Sequence, residues 1–120
     1  MDSHKKKILV ADDDMGIVDA ITLLLEEAGY EVEATADGAT LRHWQQAYPD
    51  LLLLDIWMSG WNGRDICSYL KGKEHTKHIP VIIISANKDA EKIAQEAGAD
   101  DFLAKPFDMD ELLEKIARHL

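Results

Sequence analysis

The fold is decided by the stretch Leu51-Leu52-Leu53-Leu54-Asp55, which continues as Ile56-Trp57-Met58-Ser59-Gly60-Trp61-Asn62-Gly63. Four consecutive leucines show no polar alternation, and this pattern predicts a strand buried on both faces of a parallel sheet. A carboxylate stands where that strand should end, and a loop with two glycines follows it. Because burial of a lone carboxylate costs free energy, we expect Asp55 to be exposed at the strand tip or paired there.

The composition bounds the class of protein. The 120 residues suit one domain, so we expect a single domain over residues 1–120, with residues 1–6 as a flexible lead-in. Acidic residues outnumber basic ones by 23 to 13, and the net charge of −10 opposes non-specific binding of nucleic acid. The single cysteine excludes an intramolecular disulfide and fits a reducing compartment. With no apolar run of membrane-spanning length and no signal-peptide core, we expect a cytoplasmic domain that binds neither membrane nor nucleic acid.

Four further strand-like runs alternate with helical patterns along the chain. The runs cover residues 8–11, 31–34, 81–84 and 102–104, and the helical patterns cover about 14–28, 39–48, 63–73, 89–97 and a last segment that begins near residue 108. This alternation predicts a doubly wound α/β fold, in which a five-stranded parallel sheet carries five helices on its two faces. The strand order 2-1-3-4-5 suits five strands and leaves the polar second strand at an edge.

The apolar stripes of these helices give the expected core. They are Ile17, Ile21, Leu24, Leu25 and Ala28 in the first helix; Leu41, Trp44 and Ala47 in the second; Ile66, Cys67 and Leu70 in the third; Ala90, Ile93, Ala94 and Ala97 in the fourth; and Met109, Leu112, Leu113 and Ile116 in the fifth. Because its side chains are small, the fourth helix should be the least firmly anchored. We expect Asp14 to cap the first helix, and Asp108 with Glu111 resembles a capping box.

Polar side chains stand at the carboxyl ends of four predicted strands. They are Asp12 and Asp13 after the first, Asp55 at the third, Ser85 at the fourth and Lys105 after the fifth. In the 2-1-3-4-5 order these ends converge on the edge where ligands bind. Three carboxylates at such close range would repel one another, and their oxygens suit Mg²⁺. A lysine and a hydroxyl beside the metal would bind phosphoryl oxygens.

This set of side chains predicts phosphoryl transfer to Asp55, which would form an aspartyl phosphate. Mg²⁺ held chiefly by Asp13 and Asp55, with Asp12 in support, would neutralise one side of the group, and Lys105 and Ser85 the other. Taken singly, each residue has a simpler explanation. The aspartates could be loop or turn acids, the serine a helix cap and the lysine a solvated surface residue. Their convergence from four strands argues against that explanation.

The chain resembles the receiver domain of bacterial response regulators over essentially its whole length. The resemblance lies in residues 8–14 with their acidic pair, residues 51–63 with the phosphoacceptor, the hydroxyl motif at 83–86 and Lys105-Pro106-Phe107. It implies a flavodoxin-like fold and a phosphorylated Asp55. It also implies Mg²⁺ bound by Asp12, Asp13, Asp55 and the backbone carbonyl of Trp57, with Ser85 and Phe102 as switch residues. The Lys105–Pro106 peptide bond is typically cis in this family.

The resemblance also implies the partners. A sensor histidine kinase or a phosphotransfer protein would donate the phosphoryl group. The surface formed by the fourth helix, fifth strand and fifth helix would then act on a downstream effector or a second copy. Such a domain is a switch rather than an enzyme, although it supports its own phosphoryl transfer and slow hydrolysis of the aspartyl phosphate.

Some residues depart from the family pattern in the loop that follows Asp55. Ser59 replaces a common proline, so we expect a less rigid loop. Trp57 is unusually bulky at a position that, together with Asn87, tunes dephosphorylation in the family. We predict that Trp57 shields the acyl phosphate from water; the alternative is that it only covers the loop. Phe102 lacks a hydroxyl, so any switching there must depend on ring position alone.

Three other functions fit the sequence less well. A hydrolase of the haloacid-dehalogenase type would want an aspartate two residues after Asp55, where Trp57 stands, and a cap insertion that this chain lacks. A flavodoxin-like electron carrier would want a Ser/Thr-rich phosphate loop in place of Asp12-Asp13-Asp14. A degenerate receiver would not be expected to retain the full set of site residues.

Overall fold

The computed structural model describes residues 5–42, 48–58, 61–86 and 88–120. Its strands are β1 (Lys7–Ala11), β2 (Glu31–Thr35), β3 (Leu51–Asp55), β4 (Trp57–Met58), β5 (Trp61–Asn62), β6 (Val81–Ser85) and β7 (Asp101–Ala104). Its helices are α1 (Met15–Glu27), α2 (Gly38–Arg42), α3 (Gly63–Lys71), α4 (Ala90–Ala97) and α5 (Met109–His119). No helix in these ranges is long and apolar enough to cross a membrane.

Five strands form a parallel sheet in the order β2-β1-β3-β6-β7. This is the predicted 2-1-3-4-5 order, because β4 and β5 belong to a separate two-stranded hairpin. Every residue of β3 and β6 is buried, as their unbroken apolar runs require. The polar strand β2 lies at the edge, where one side of its backbone needs no partner strand. The doubly wound flavodoxin-like fold is confirmed.

Two apolar layers cover the two faces of the sheet. One layer contains Ile66, Cys67 and Leu70 of α3 with Ala94 and Ala97 of α4. The other is built by α1 and α5, whose buried residues are Val18, Ile21, Leu25, Leu112 and Ile116. Side chains of β3 alternate between the two layers, so this strand is the shared centre of both cores.

Helix α1 begins as predicted. The Asp14 side chain accepts hydrogen bonds from the backbone N–H groups of Gly16, at 3.1 Å, and Ile17, at 3.2 Å. These bonds satisfy donors that the first turn of a helix leaves free. The prediction that Ala28 belongs to the core was wrong, because Ala28 follows the last turn of the helix and is exposed. Val18, which was not among the predicted core residues, is buried.

Helix α5 differs from the prediction at its first turn. Asp108 occupies the N-cap position but makes no side-chain capping hydrogen bond, so the predicted capping box is wrong. Met109 is 39% exposed and does not belong to the core, because it is the first residue of the helix. Leu112 and Ile116 are buried as predicted, and Leu113 is half-buried.

The remaining helices agree with the prediction in position. Helix α3 and helix α4 bury the expected residues, and Ile93 of α4 is half-buried. Gly98 ends α4 in the left-handed conformation, with φ of 82°, which glycine adopts without steric cost. Helix α2 is described for Gly38–Arg42. The rest of the predicted second helix, with Trp44 and Ala47, lies outside the described residues.

Candidate functional site

The strand ends bring the predicted site residues to one edge of the sheet. Asp12 and Asp13 follow β1, Asp55 ends β3, Ser85 ends β6, and Lys105 follows β7. The parallel register aligns these ends, since Ala11 pairs with Leu54, Asp55 with Ile84, and Ser85 with Ala104. The five residues therefore converge because of the strand order.

Three carboxylates form the centre of the site. One oxygen from each of Asp12, Asp13 and Asp55 lies within 4.8 Å of the others. Asp12 is 1% exposed and Asp55 is 8% exposed, whereas Asp13 is open to solvent. A hydrogen bond fixes the orientation of the Asp12 carboxylate, because its Oδ1 accepts from the Asp14 backbone N–H at 2.9 Å.

Lys105 bridges two of these carboxylates. Its Nζ donates to Asp12 Oδ2 at 3.2 Å and lies 3.8 Å from Asp55 Oδ1. The backbone N–H of Lys105 donates to the Ser85 carbonyl at 2.8 Å, which ties the lysine to the end of β6. The Lys105–Pro106 peptide bond is cis, as the resemblance implies. Asp55 is therefore buried and paired rather than exposed at the strand tip.

The Asp55 carboxyl group is harder to ionise than an ordinary aspartate. Its pKa rises from 3.8 to about 6, chiefly because burial disfavours the charged form, and next because the negative charge of Asp12 is near. A hydrogen bond with the Asp12 side chain raises the pKa further. Lys105 and the backbone N–H of Trp57 act in the opposite direction.

This electrostatic balance fits a cation site. Lys105 pairs with two of the three carboxylates, and its attraction lowers the pKa of Asp55 by less than the charge of Asp12 raises it. Carboxylate oxygens are hard ligands that suit small divalent cations with bound water. Asp12, Asp13 and Asp55 could hold such an ion.

Two other predicted residues border the centre. The backbone N–H of Trp57 hydrogen-bonds to Asp55, while the Trp57 side chain is 60% exposed. Ser85 is buried at the end of β6. Phe102 lies one strand further, half-buried, with the Lys115 Nζ 5.0 Å from its ring centroid. Ser59 and Asn87, which depart from the family pattern or tune dephosphorylation in the sequence-based interpretation, lie outside the described residues.

Two features of the structure were not predicted from the sequence. The loop after Asp55 pairs with itself as the β4–β5 hairpin, which two-residue strands do not signal through periodicity. Asp101, one residue before Phe102, accepts from Lys115 Nζ at 3.0 Å and lies 3.0 Å from His119 Nε2. The partners of Asp101 lie one helical turn apart on α5, a spacing that would have indicated a shared face.

The sequence profile described as response regulator receiver domain matches residues 8–117. The chain therefore belongs to the response regulator receiver domain family, and it is a phosphoacceptor domain of two-component signalling.

The chain is 37% identical over 113 residues to the DNA-binding dual master transcriptional regulator RpaA of Synechocystis sp.. The match covers 92% of this chain and 47% of RpaA. A match to the DNA-binding response regulator MtrA of Mycobacterium tuberculosis, at 32% identity, covers 100% of this chain and 53% of MtrA. The chain thus spans about half the length of these relatives.

Solved structures agree with this membership. A putative response regulator from Chloroflexus aurantiacus superposes with a TM-score of 0.90 at 31% identity, over 97% of this chain and 98% of that one. The response regulator TrrA from Thermotoga maritima, in complex with Mg²⁺-BeF, superposes with a TM-score of 0.85 at 31% identity, over 96% of this chain and 99% of that one.

Proposed function

We propose that Asp55 accepts a phosphoryl group from a histidine kinase or a phosphotransfer protein, and that Mg²⁺ is the cofactor. The observation that carries this assignment is the Lys105 ammonium, 3.2 Å from Asp12 and 3.8 Å from Asp55. A cation between two carboxylates at a sheet edge is suited to bind a third anionic group, such as a phosphoryl group attached to Asp55. TrrA, a structural relative, was solved in complex with Mg²⁺-BeF, which supports the same chemistry here.

In the proposed reaction, a carboxylate oxygen of Asp55 attacks the phosphorus atom. The bond from phosphorus to the donor's histidine nitrogen breaks, and its electron pair stays on that nitrogen. Lys105 and the Ser85 hydroxyl donate hydrogen bonds to the phosphoryl oxygens, and the Trp57 N–H holds the carboxylate in place. Mg²⁺, when held by Asp12, Asp13, Asp55 and the Trp57 carbonyl, supplies positive charge to the phosphoryl oxygens.

The domain acts in this proposal as a switch rather than as an enzyme with its own substrate. It supports transfer to Asp55 and slow hydrolysis of the aspartyl phosphate. Ser85 and Phe102 report phosphorylation to the surface made of α4, β7 and α5, which acts on an effector or a second copy. Helix α4 suits this role, because alanines Ala90, Ala94 and Ala97 form its buried face and anchor it weakly.

The phosphodonor protein docks, in this proposal, in an apolar groove between α1 and the start of α5. The groove holds about 400 Å³, and its lining includes Gly16, Ile17, Ala20, Lys105, Phe107 and Met109. Because Lys105 contacts Asp55, a protein seated in this groove can bring its histidine to the carboxylate.

We propose residues 1–120 as one receiver domain that acts in the cytoplasm, without nucleic-acid binding of its own. The family match over residues 8–117 supports the single domain, and the net charge of −10 supports the absence of nucleic-acid binding.

The test is incubation with Mg²⁺ and a small acyl phosphate, followed by intact mass measurement. We expect one phosphoryl adduct in the wild type and none in Asp55→Asn, which keeps the shape of the side chain. An adduct that persists in Asp55→Asn, or the absence of any adduct in the wild type, would overturn the assignment.

A further inference from the structure

The loop after Asp55 is held at its base by backbone contacts. The Gly63 N–H donates to the Ile56 carbonyl at 2.5 Å. A Cβ atom on Gly63 would overlap the backbone oxygen of Asp55 and lie 2.8 Å from the Ile56 Cα. The returning chain therefore lies directly on the chain that leaves the phosphoacceptor, and only glycine permits this approach.

Between these points the chain forms a two-faced hairpin. Trp57 pairs with Asn62, and Met58 pairs with Trp61, in antiparallel register. Directly paired residues share a face and consecutive residues alternate, so Trp57 and Trp61 lie on opposite faces. The Trp57 side chain is exposed, whereas Trp61 is half-buried and packs against the apolar layer under α3.

The Trp61 ring lies on the bare backbone of Gly38 at the start of α2. A Cβ atom on Gly38 would lie 2.6 Å from the Trp61 Cγ and 2.8 Å from the Ile66 Cδ1. No side chain fits in that space, so the glycine creates the crevice in which the indole packs between α2 and α3.

The opposite end of the same hairpin contacts the reacting group. The Trp57 backbone N–H donates a hydrogen bond to the Asp55 carboxylate. The direction of that N–H is set by the orientation of β4, which in turn depends on its pairing with β5 and on the packed Trp61 ring. The hairpin therefore connects the crevice at Gly38 to the Asp55 carboxylate through four residues of paired backbone.

We propose that Trp61 is a positioning residue for phosphoryl transfer, because its ring, packed on Gly38 and Ile66, holds the hairpin that aims the Trp57 N–H at Asp55. This inference rests on the proposed function of Asp55. It also gives Trp61 and Gly38, the first residue of α2, a joint role.

The first readout is hydrogen exchange of the Trp57 backbone amide in metal-free protein, which requires no phosphorylation. In Trp61→Ala we expect the Trp57 amide to exchange about 10-fold faster than in the wild type, or more, because loss of the packed ring lowers the free energy of local opening of the hairpin. Trp61→Phe, which keeps a ring in the crevice, should restore most of the protection. Gly38→Ala, whose new methyl group displaces the ring, should shift exchange in the same direction as Trp61→Ala.

The second readout is the rate of phosphorylation by a small acyl phosphate with Mg²⁺. We expect that rate to fall by about 10-fold in Trp61→Ala and to recover in Trp61→Phe. Ile116→Ala is the matched control, because it removes a buried side chain from the apolar layer on the other face of the sheet. It should lower global stability in urea while leaving Trp57 exchange and phosphorylation at wild-type levels.

Two outcomes would overturn the positioning role. One is unchanged Trp57 exchange in both Trp61→Ala and Gly38→Ala. The other is an equal loss of phosphorylation in Ile116→Ala, which would make the effect one of stability alone. If Trp61→Ala does not fold, Gly38→Ala and Trp61→Phe decide the question. Failure of the wild type to accept phosphate would overturn the proposed function instead, and the exchange measurement would still test the hairpin contact.

Discussion

Lys105 and Asp12 lie 3.2 Å apart at the sheet edge, although they are 93 positions apart in the sequence. Asp12 is almost fully buried, and Lys105 is the basic residue that the described structure pairs with it. The same ammonium lies 3.8 Å from Asp55. The lysine thus offsets part of the repulsion between two carboxylates that meet because β1 and β3 are neighbours.

Asp55 should destabilise the metal-free domain at neutral pH. Its pKa is about 6 in the folded state and near 3.8 when unfolded, so the folded state binds the proton more tightly. Below about pH 4 the Asp55 carboxyl group is protonated in both states and has no effect on stability. As the pH rises from about 4 to 6, the free energy of unfolding falls. Above about pH 6 the folded state carries the full cost of the buried charge, about 1–3 kcal/mol. Asp55→Asn should therefore be more stable than the wild type at pH 7 by that amount.

The measurement is urea unfolding of both proteins in a chelator between pH 4 and pH 8. Only the difference between them is used, so the other titrating groups cancel. Equal stabilities at pH 7, or a difference that grows toward low pH, would contradict the assignment of the raised pKa. Addition of Mg²⁺ at pH 7 should stabilise the wild type more than Asp55→Asn, because the variant lacks one carboxylate ligand.

Replacement of Lys105 should slow phosphoryl transfer while leaving the fold intact. In Lys105→Met the stem remains, but the charge that faces Asp12 and Asp55 is lost, so the pKa of Asp55 should rise above about 6. We expect the rate of phosphorylation by a small acyl phosphate to fall by about 100-fold, in the range found when one stabilising donor is removed from an active site. Time-resolved intact mass measures the rate, and Lys88→Met, at an exposed lysine, is the control.

The sequence predicted the sheet order, and it predicted that the strand-end side chains meet, because both depend on strand burial and strand direction. The unbroken apolar runs in β3 and β6 indicate burial on both faces, and each strand then has one carboxyl end that must meet the others. Met109 and the Asp108 cap were wrong because they depend on the local path of a loop, which periodicity does not describe. The Trp61–Gly38 contact could not be predicted, because it joins two segments whose distance is set by packing alone.

The groove beside Lys105 should affect transfer from a protein donor but not from a small molecule. Ala20 is exposed on α1 and lines the groove, so Ala20→Glu places a charge where an apolar surface would dock. We expect phosphorylation by a histidine-phosphorylated donor protein to fall at least about 10-fold, since an unpaired buried charge weakens binding by more than 1.4 kcal/mol. Phosphorylation by a small acyl phosphate should stay at the wild-type rate.

Ser68→Glu makes the same change of charge at an exposed position of α3, which packs on the opposite face of the sheet. It should leave both rates unchanged. An equal loss for the two donors in Ala20→Glu would mean that the substitution disturbs Asp55 itself, and no loss with the protein donor would place the docking surface elsewhere.

Trp57 should lengthen the lifetime of the aspartyl phosphate. Its backbone hydrogen-bonds to Asp55, so its side chain starts beside the phosphoryl group, and 60% of its surface is exposed to the water that would attack. Trp57→Ala keeps the backbone N–H but removes the ring, so we expect faster hydrolysis with little change in the rate of phosphorylation. Trp57→Phe should give an intermediate lifetime, because a smaller ring covers less of the approach. Decay of the adduct after removal of the acyl phosphate, followed by intact mass, measures the lifetime. An unchanged lifetime in Trp57→Ala would mean that the ring only covers the hairpin, and the lifetime would then depend on other residues of the site.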